Sequence, residues 1–385
     1  MGIPIARRAA RVSPFLAMEL MERAKQLQAT GRDIIYLCLG EPDFATPRPV
    51  VEATTRALEA GATSYTHSLG LPELREEIAR HYRRRYAVEV SAEQVLVSAG
   101  TSPLMLLLFA LLLEPDDELI LTDPGYACYP NFVEFSGGRP VLLRTHEEDG
   151  FQPRPEQVRQ MLTDRSRGLL INSPSNPAGS ILSGEQLREL AKLPIPVISD
   201  EIYHGLTYEG EEHSILEYTD QAFVLGGFSK SFAMTGWRLG YLIAPSACMR
   251  TLQTMHQNFM ICANHFVQLG GIAALRHCWD DVARMKTLYN QRRVRLIERL
   301  RGLGFGVRFT PQGAFYVLAD ARHISPDSQQ LALEILEATG VAVTPGIDFG
   351  AGAEGYLRFS YASPLEQIDE ALDRIAGFLQ KRKPQ

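Results

Sequence analysis

Two hydrophobic patterns alternate along the chain. Short runs rich in Val, Ile and Leu, typical of buried strands, alternate with stretches in which apolar positions recur every three or four residues, as in amphipathic helices. No repeat of fixed length interrupts them. The predicted strands cover 94–98, 118–122, 168–172, 196–199, 222–226 and 240–243. This alternation predicts an α/β fold with a mostly parallel sheet covered by helices on both faces.

The pattern changes after about residue 280, which predicts a second, smaller α+β lobe. A long helix (281–301) is followed by predicted strands at 306–309, 314–319 and 356–360 and by predicted helices at 328–339 and 365–380. We expect a helix at 18–28 to pack with this lobe. The predicted organisation is an N-terminal arm (1–15), a large domain (48–280) and a small domain (16–47 and 281–385).

Composition favours a small-molecule partner. Of 385 residues, 45% are hydrophobic and 22% are charged, and the net charge of −6 comes from interspersed charges, which argues against binding to nucleic acid or anionic membranes. The longest apolar run, 104–113, is too short to span a membrane and predicts a buried helix. The basic segment 81–86 is interpreted as a solvated helix face.

Cysteine usage and the N-terminus bear on location. The five cysteines are scattered, odd in number and without a Cys-x-x-Cys pair, which favours reduced thiols over disulfides or a metal site. The first residues lack the apolar segment of a secretory signal. We therefore expect a cytoplasmic protein without a metal.

Candidate chemistry follows the predicted strands, because open parallel sheets bind ligands at the carboxyl ends of their strands. Gly100, Thr101 and Ser102 follow the first strand and open the apolar helix, which predicts backbone N–H groups and two hydroxyls for a phosphate. The alternative is an ordinary helix start, with Ser102 as N-cap and Pro103 at the first helical position.

Two further strand ends carry candidates that are ambiguous alone. Tyr126 lies in a turn after the second strand, where it faces either a ligand or only the core. Asn176 lies in the loop 173–179, whose density of turn-forming residues predicts a fixed backbone and a pinned amide. An Asx-capped turn without further function would give the same sequence.

The strongest pair is a carboxylate and a lysine at neighbouring strand ends. Asp200 stands where an apolar strand stops, so it needs a cationic or N–H partner. Lys230 follows another such strand, eight residues before Arg238. A lysine in this position, taken alone, is more often a surface lysine at a strand end.

These groups gain meaning when they serve one ligand. An anion site at a helix N-terminus, an arginine, a carboxylate that needs a protonated partner, an aromatic plate and a desolvated lysine together match pyridoxal 5′-phosphate, a flat phosphorylated aldehyde with a ring nitrogen. The carboxylate would keep the pyridine nitrogen protonated, and burial would make the lysine nucleophilic at neutral pH.

The chain also resembles the class I and II aminotransferases of the aspartate aminotransferase fold (fold type I) over nearly its whole length. The motifs that carry this resemblance occur in the family's order: Gly40-Glu41-Pro42-Asp43-Phe44, Tyr65 with Gly70 and Leu74-Arg75, Asn172-Ser173-Pro174-Ser175-Asn176-Pro177, Ser199-Asp200-Glu201-Ile202-Tyr203, Ser229-Lys230 through Trp237-Arg238, and Leu357-Arg358-Phe359-Ser360. The resemblance implies a large domain with a seven-stranded sheet and a smaller α+β domain.

The resemblance also implies a role for each matching residue. Lys230 corresponds to the Schiff-base lysine beside Ser229, Asp200 to the partner of the pyridine nitrogen, Tyr203 and Asn176 to the donors to the ring oxygen, and Tyr126 to the residue stacked on the ring. Gly100, Thr101, Ser102 and Arg238 resemble the phosphate cradle. Tyr65 resembles a tyrosine that reaches the neighbouring subunit's phosphate, which implies a homodimer with shared active sites. Arg358, with Asn176 and the backbone of Gly40, resembles the site for the substrate α-carboxylate; otherwise Arg358 would form a surface salt bridge.

We therefore predict a transaminase that moves an amino group from an amino acid to a 2-oxo acid through a ping-pong aldimine/ketimine mechanism, with Lys230 as general base. One departure is Gly227, where many members have a serine or threonine that contacts the phosphate. A carbon–sulfur β-lyase of the same fold is the alternative enzyme. A sensor that binds the cofactor without catalysis is the alternative binding protein.

Overall fold

The computed structural model describes residues 3–382 and contains three sheets. Its strands are β1 (Ile35–Tyr36), β2 (Val95–Ser98), β3 (Glu118–Asp123), β4 (Arg139–Arg144), β5 (Ser166–Asn172), β6 (Val197–Asp200), β7 (Phe223–Gly227), β8 (Gly240–Ile243), β9 (Tyr316–Asp320), β10 (Val341–Ala342), β11 (Thr344–Pro345) and β12 (Tyr356–Ser360). The largest sheet has the order β2-β8-β7-β6-β5-β3-β4, in which only β8 runs antiparallel to its neighbours. The predicted seven-stranded, mostly parallel sheet is confirmed.

Helices surround these sheets. They are α1 (Arg7–Ala10), α2 (Leu16–Ala29), α3 (Arg48–Glu59), α4 (Pro72–Tyr86), α5 (Thr101–Leu112), α6 (Tyr129–Phe135), α7 (Pro155–Met161), α8 (Gly184–Leu190), α9 (Ser246–Phe259), α10 (His265–His277), α11 (Trp279–Gly302), α12 (Ser328–Thr339) and α13 (Leu365–Arg382). The predicted helices at 281–301, 328–339 and 365–380 correspond to the last three of these.

The centre of the large sheet is buried on both faces. Every residue of β2, β6 and β8 is buried, which explains why these strands are continuous apolar runs rather than alternating ones. The apolar run 104–113 forms most of α5, which packs against β7, β8 and α9. This burial fixes the start of α5 relative to the carboxyl ends of the strands.

The second lobe is built on two small sheets. β9, β11 and β12 form an antiparallel sheet in the order β11-β12-β9, and β1 pairs in parallel with β10. The helix predicted at 18–28 is α2, and it packs against β10 and β11 as expected. The domain boundaries given above stay a prediction, and of the predicted arm, residues 1 and 2 lie outside the described part.

The strands differ from the predicted ones at 306–309 and at β4, and the two-residue strands β1, β10 and β11 were not predicted. The strand predicted at 306–309 is wrong: Gly306 forms a single bridge to Asp320, after which the backbone N–H groups of Arg308 and Phe309 donate to Glu147 Oε1 at 2.9 and 3.2 Å. Conversely, β4 was not among the predicted strands. It is an edge strand whose residues are largely half-exposed or exposed, so its apolar signal is weak.

The solvated face predicted for 81–86 is only half right. The arginines at 83–85 are turned outward, but His81, Tyr82 and Tyr86 are buried. The His81 ring stacks on Trp279 at 5.0 Å between centroids, and Tyr82 OH donates to Glu201 Oε2 at 3.2 Å. α4 therefore buries one aromatic face beneath its basic one.

No helix in residues 3–382 combines the length and the hydropathy that crossing a membrane requires.

We predict that Leu108→Ala, in the buried face of α5, destabilises the protein by about 2–5 kcal/mol, because it removes a fully buried side chain and leaves a cavity beneath the candidate site. Leu333→Ala, at a position 38% exposed on α12, should cost less than about 1 kcal/mol. Urea unfolding of both variants measures this difference. Equal losses would contradict the packing described for α5.

Candidate active site

A cavity of about 490 Å³ lies at the carboxyl ends of the strands of the large sheet. Most of the predicted site residues line it: Gly40, Thr101, Ser102, Tyr126, Asn176, Asp200, Tyr203, Ser229, Lys230, Arg238 and Arg358. Gly100 adjoins Arg238, whereas Tyr65 is 80% exposed and lies outside the cavity. The structure thus brings together residues that are separated by more than 300 positions in the sequence.

One end of the cavity is a cradle for an anion. The N-cap of α5 is Gly100, at φ 91°, and no side chain caps the helix, so the alternative of a Ser102 cap is wrong. A Cβ on Gly100 would lie 2.6 Å from Arg238 Nη2, so glycine allows the guanidinium to approach the turn. Uncapped N–H groups, the hydroxyl-bearing residues Thr101 and Ser102, and Arg238 together favour a phosphate.

Asp200 lies at the centre of the cavity floor. As the last residue of β6 it is only 4% exposed, and its Oδ2 accepts a hydrogen bond from Tyr129 OH at 2.7 Å while its Oδ1 accepts from the N–H of Ile202 at 3.1 Å. Burial raises the pKa of Asp200 to about 6, against the lowering effect of these two donors. A protonated ring nitrogen would supply the cation that this carboxylate lacks.

Lys230 is the amine of the site. Its Nζ donates to the carbonyl of Gly40 at 2.5 Å. Burial, together with the charges of Arg358 and Arg238, lowers the pKa of Lys230 to about 8, although Glu41 and Asp200 oppose this shift. A fraction of the amine is therefore neutral, and nucleophilic, near pH 7.

Arg358 provides a second anion site from the small lobe. It is only 3% exposed; Nη1 donates to Asn176 Oδ1 at 2.8 Å and Nη2 to the carbonyl of Cys38 at 2.7 Å. Its guanidinium lies over the rings of Tyr316 and Phe349, 4.3 and 4.8 Å from their centroids. Its Nε is buried and has no hydrogen-bond partner among residues 3–382. A buried unpaired donor of this kind favours an anionic ligand.

The loop that carries Asn176 is fixed as predicted. Asn172 Oδ1 accepts from the N–H of Asn176 at 2.7 Å, and Asn172 Nδ2 donates to the carbonyl of Asp200 at 2.8 Å. The loop between β5 and α8 is thereby tied to β6. Asn176 is held where its amide oxygen meets Arg358.

Aromatic side chains form the remaining walls. Tyr203 OH and Tyr316 OH lie 2.9 Å apart, and the Tyr126 ring makes an edge contact with Tyr129 at 5.1 Å. A Cβ on Gly40 would lie 2.6 Å from Tyr316 OH, which explains the glycine there. Such walls suit a flat ring.

The departure at Gly227 has a packing cause. A Cβ there would lie 2.9 Å from Ile202 Cδ1, 3.2 Å from the carbonyl oxygen of Leu239 and 3.3 Å from Gly240 Cα. A serine or threonine does not fit without shifts of the neighbouring strand. Thr101, Ser102 and Arg238 line the cavity near this position and offer other donors that an anion could use.

Sequence reasoning missed two residues, Tyr129 and Tyr316. Tyr129 begins α6 and contacts Asp200, and Tyr316 contacts both Tyr203 and Arg358. Tyr129 could have been found from its place one helical turn after Tyr126. Tyr316 gives no local signal, because it is a buried aromatic residue in an ordinary apolar strand.

Comparison with known proteins identifies the family. The profile described as aminotransferase class I and II matches residues 32–375. The chain is 38% identical to the aspartate/prephenate aminotransferase of Thermus thermophilus over 97% of this chain and 98% of that protein. It is 39% identical to the putative aminotransferase YugH of Bacillus subtilis over 92% and 94% of the two chains. The chain belongs to the class I and II aminotransferases.

Solved structures agree with this assignment. The aspartate aminotransferase of Thermus thermophilus with maleate superposes with a TM-score of 0.94 at 38% identity, covering 98% of this chain and all of that one. An aminotransferase from Mycobacterium tuberculosis superposes with a TM-score of 0.95 at 34% identity, covering 99% and 100%. The protein is a pyridoxal phosphate-dependent aminotransferase, which confirms the predicted fold, activity and cofactor. The cradle at Gly100, the buried Asp200 and the low-pKa Lys230 fit that cofactor.

Asp200 gives a test based on pH. In the folded, cofactor-free protein its carboxyl keeps its proton up to about pH 6, but in the unfolded chain only up to its ordinary pKa of 3.8. Folding therefore takes up a proton in this window, and stability decreases as the pH rises through it. Asp200 should thereby lower the free energy of unfolding of the cofactor-free protein by on the order of 2–3 kcal/mol between pH 4 and pH 7. Asp200→Asn should remove this decrease. Urea unfolding at both pH values measures it; parallel pH profiles for the two proteins would contradict the raised pKa.

Proposed function

We propose that Lys230 is both the attachment point of the cofactor and the base of the reaction. The observation that carries this proposal is the position of its amine, with a pKa of about 8, in one cavity with the carboxylate of Asp200 and the unpaired Nε of Arg358. When bound, pyridoxal phosphate supplies an aldehyde and an electron-accepting ring. Once its amine is released by the incoming amino acid, Lys230 removes the Cα proton of the substrate and returns a proton in the second half of the reaction.

Arg358 binds the α-carboxylate of the substrate. Its Nε has no partner, and Asn176 and the carbonyl of Cys38 hold its two other nitrogens in position. The carbonyl of Gly40, two residues after Cys38, accepts a hydrogen bond from Lys230. Substrate binding at Arg358 therefore brings the Cα–H toward the lysine.

Asp200 holds the proton of the pyridine nitrogen. The Tyr129 hydroxyl and the N–H of Ile202 orient its two oxygens, so the carboxylate has one geometry before a ligand arrives. Tyr203 and Asn176 would hold the ring oxygen of the cofactor, and Tyr126 would cover its ring. The phosphate would be held by Ser229, Thr101, Ser102, the Gly100 turn and Arg238.

We predict that Lys230→Ala abolishes transamination while the phosphate cradle still binds the cofactor without a covalent link. Lys192→Ala removes a surface lysine that pairs with Glu189 and does not line the cavity, so it should leave turnover unchanged. Conversion of an amino acid to its 2-oxo acid, measured by mass spectrometry in the presence of a 2-oxo acid acceptor, tests both variants. Normal turnover by the Lys230 variant would refute the assignment, and pyruvate formed from a cysteine conjugate without an acceptor would identify a β-lyase.

We also propose a homodimer in which Tyr65 of each chain completes the phosphate site of the other. Tyr65 is 80% exposed and does not line the cavity of its own chain, an unusual position for a tyrosine in a matched motif.

The free and scattered cysteines support a cytoplasmic protein.

Hybrid dimers test the shared site. Tyr65→Ala should lower kcat/KM by about 10-fold, the cost of one phosphate hydrogen bond. Mixing Tyr65→Ala chains with Lys230→Ala chains should then restore activity, because one site of each hybrid has both native residues. Mixing Arg358→Ala with Lys230→Ala chains should restore none, because both residues act in the site of their own chain and each site of the hybrid keeps one of the two changes. Equal results for the two mixtures would refute the shared site.

A further inference from the structure

One wall of the active-site cavity is apolar and is built mainly by the start of α2 and the residue before it. Phe15, which precedes α2, and Met18 and Met21, from its first turns, line the cavity together with Leu39 and Met105. Met18 is 44% exposed although it is apolar, and the Phe15 ring makes an edge contact with Tyr126 at 6.1 Å. These side chains therefore present apolar surface to whatever occupies the cavity.

This wall is fixed by contacts from distant parts of the chain. No side chain of α2 caps its N-terminus; instead the N–H groups of Leu16 and Ala17 donate to the two oxygens of Asp348 at 2.8 and 3.1 Å. Asn131 holds the preceding turn, since its Oδ1 accepts from the N–H of Ser13 at 2.9 Å. These hydrogen bonds hold the start of α2 in place beside the cavity.

The hydrogen bonds to Asp348 also place the apolar wall beside Arg358, the proposed site of the substrate α-carboxylate. Asp348 is followed by Phe349, whose ring lies 4.8 Å from the guanidinium of Arg358. A substrate bound through its α-carboxylate to Arg358 thus has its side chain next to the apolar wall. The wall is in a position to select side chains.

The charges of the cavity do not provide for a second carboxylate. Among the lining residues of this chain the cations are Lys230, Arg238 and Arg358, and their proposed partners are the cofactor aldehyde, the phosphate and the α-carboxylate. The remaining charged groups of the lining, Glu41 and Asp200, are acidic. A distal carboxylate would be desolvated against apolar side chains and would find, among the lining residues of this chain, no cation left free by the cofactor and the α-carboxylate.

We propose that this aminotransferase takes amino acids with uncharged apolar side chains, such as leucine, methionine and phenylalanine, and that Phe15, Met18 and Met21 contact those side chains. This inference rests on the proposed function, in which Arg358 binds the α-carboxylate. The relative from Thermus thermophilus, by contrast, is named for aspartate and prephenate.

Single half-reactions of the cofactor-loaded enzyme test the substrate class. The rate of cofactor conversion is measured for leucine, methionine and phenylalanine, for aspartate and glutamate, and for alanine as a reference that hardly reaches the wall. We expect kcat/KM for the apolar amino acids to exceed that for aspartate and glutamate by 10-fold or more. Faster conversion of aspartate or glutamate would overturn the substrate class and leave the proposed function intact. Conversion of none would overturn the proposed function and this inference with it.

Binding of unreactive analogues gives a readout independent of turnover. Calorimetry with the cofactor-loaded enzyme should show tighter binding of 4-methylpentanoate and 3-phenylpropanoate than of succinate. Tighter binding of succinate would contradict the apolar wall.

Substitutions in the wall complete the test. Met18→Ala should lower kcat/KM for leucine and phenylalanine about 10-fold and leave alanine nearly unchanged. Met18→Arg should raise the rate with aspartate relative to leucine, since it adds the missing cation. Leu288→Ala, a comparably exposed apolar residue on α11, serves as control and should change neither. Equal losses for leucine and alanine in Met18→Ala would refute a contact with the substrate side chain.

Discussion

Desolvation of a few charged groups at one edge of the large sheet is the constraint on which the site depends. Asp200, Lys230 and Arg358 are held where water is largely excluded, and each lacks a full set of partners within the chain. Burial of these groups without full partners costs free energy, and a ligand of complementary charge offsets this cost when it binds. The raised pKa of Asp200 and the lowered pKa of Lys230 are two consequences of the same burial, and both favour a cationic ring nitrogen and a reactive amine.

The fold holds the residues of the site in fixed positions at this edge of the sheet. The strands that carry Asp200, Asn172 and Gly227 are buried on both faces, so their ends are fixed to within the tolerance of a packed core. The small lobe adds Arg358 from β12. The start of α2, held by hydrogen bonds to Asp348, adds an apolar wall. The proposed cofactor site thus lies on the rigid sheet, and the surface proposed to select the substrate comes from a separate segment.

Much of this was predictable because the signals are local. Apolar runs gave six of the seven strands of the large sheet, and the residues after them gave Asp200, Lys230 and Asn176. What failed depends on long-range contacts. β4 is an edge strand with a weak apolar pattern, and the 306–309 segment binds Glu147 instead of a strand. His81 is buried because Trp279, almost two hundred residues away, stacks on it. Tyr129 and Tyr316 are ordinary aromatic residues in the sequence, and only the fold brings them to Asp200 and Arg358.

The central claim is that Lys230 is the amine that holds the cofactor and gives it up to the substrate. The most direct measurement is borohydride reduction of the cofactor-loaded protein, followed by digestion and mass spectrometry to locate the lysine that carries the reduced cofactor. The account predicts the label on Lys230, and its loss when the protein is first treated with an excess of a reactive amino acid. A label on another lysine, or a label on Lys230 that survives such treatment, would contradict it.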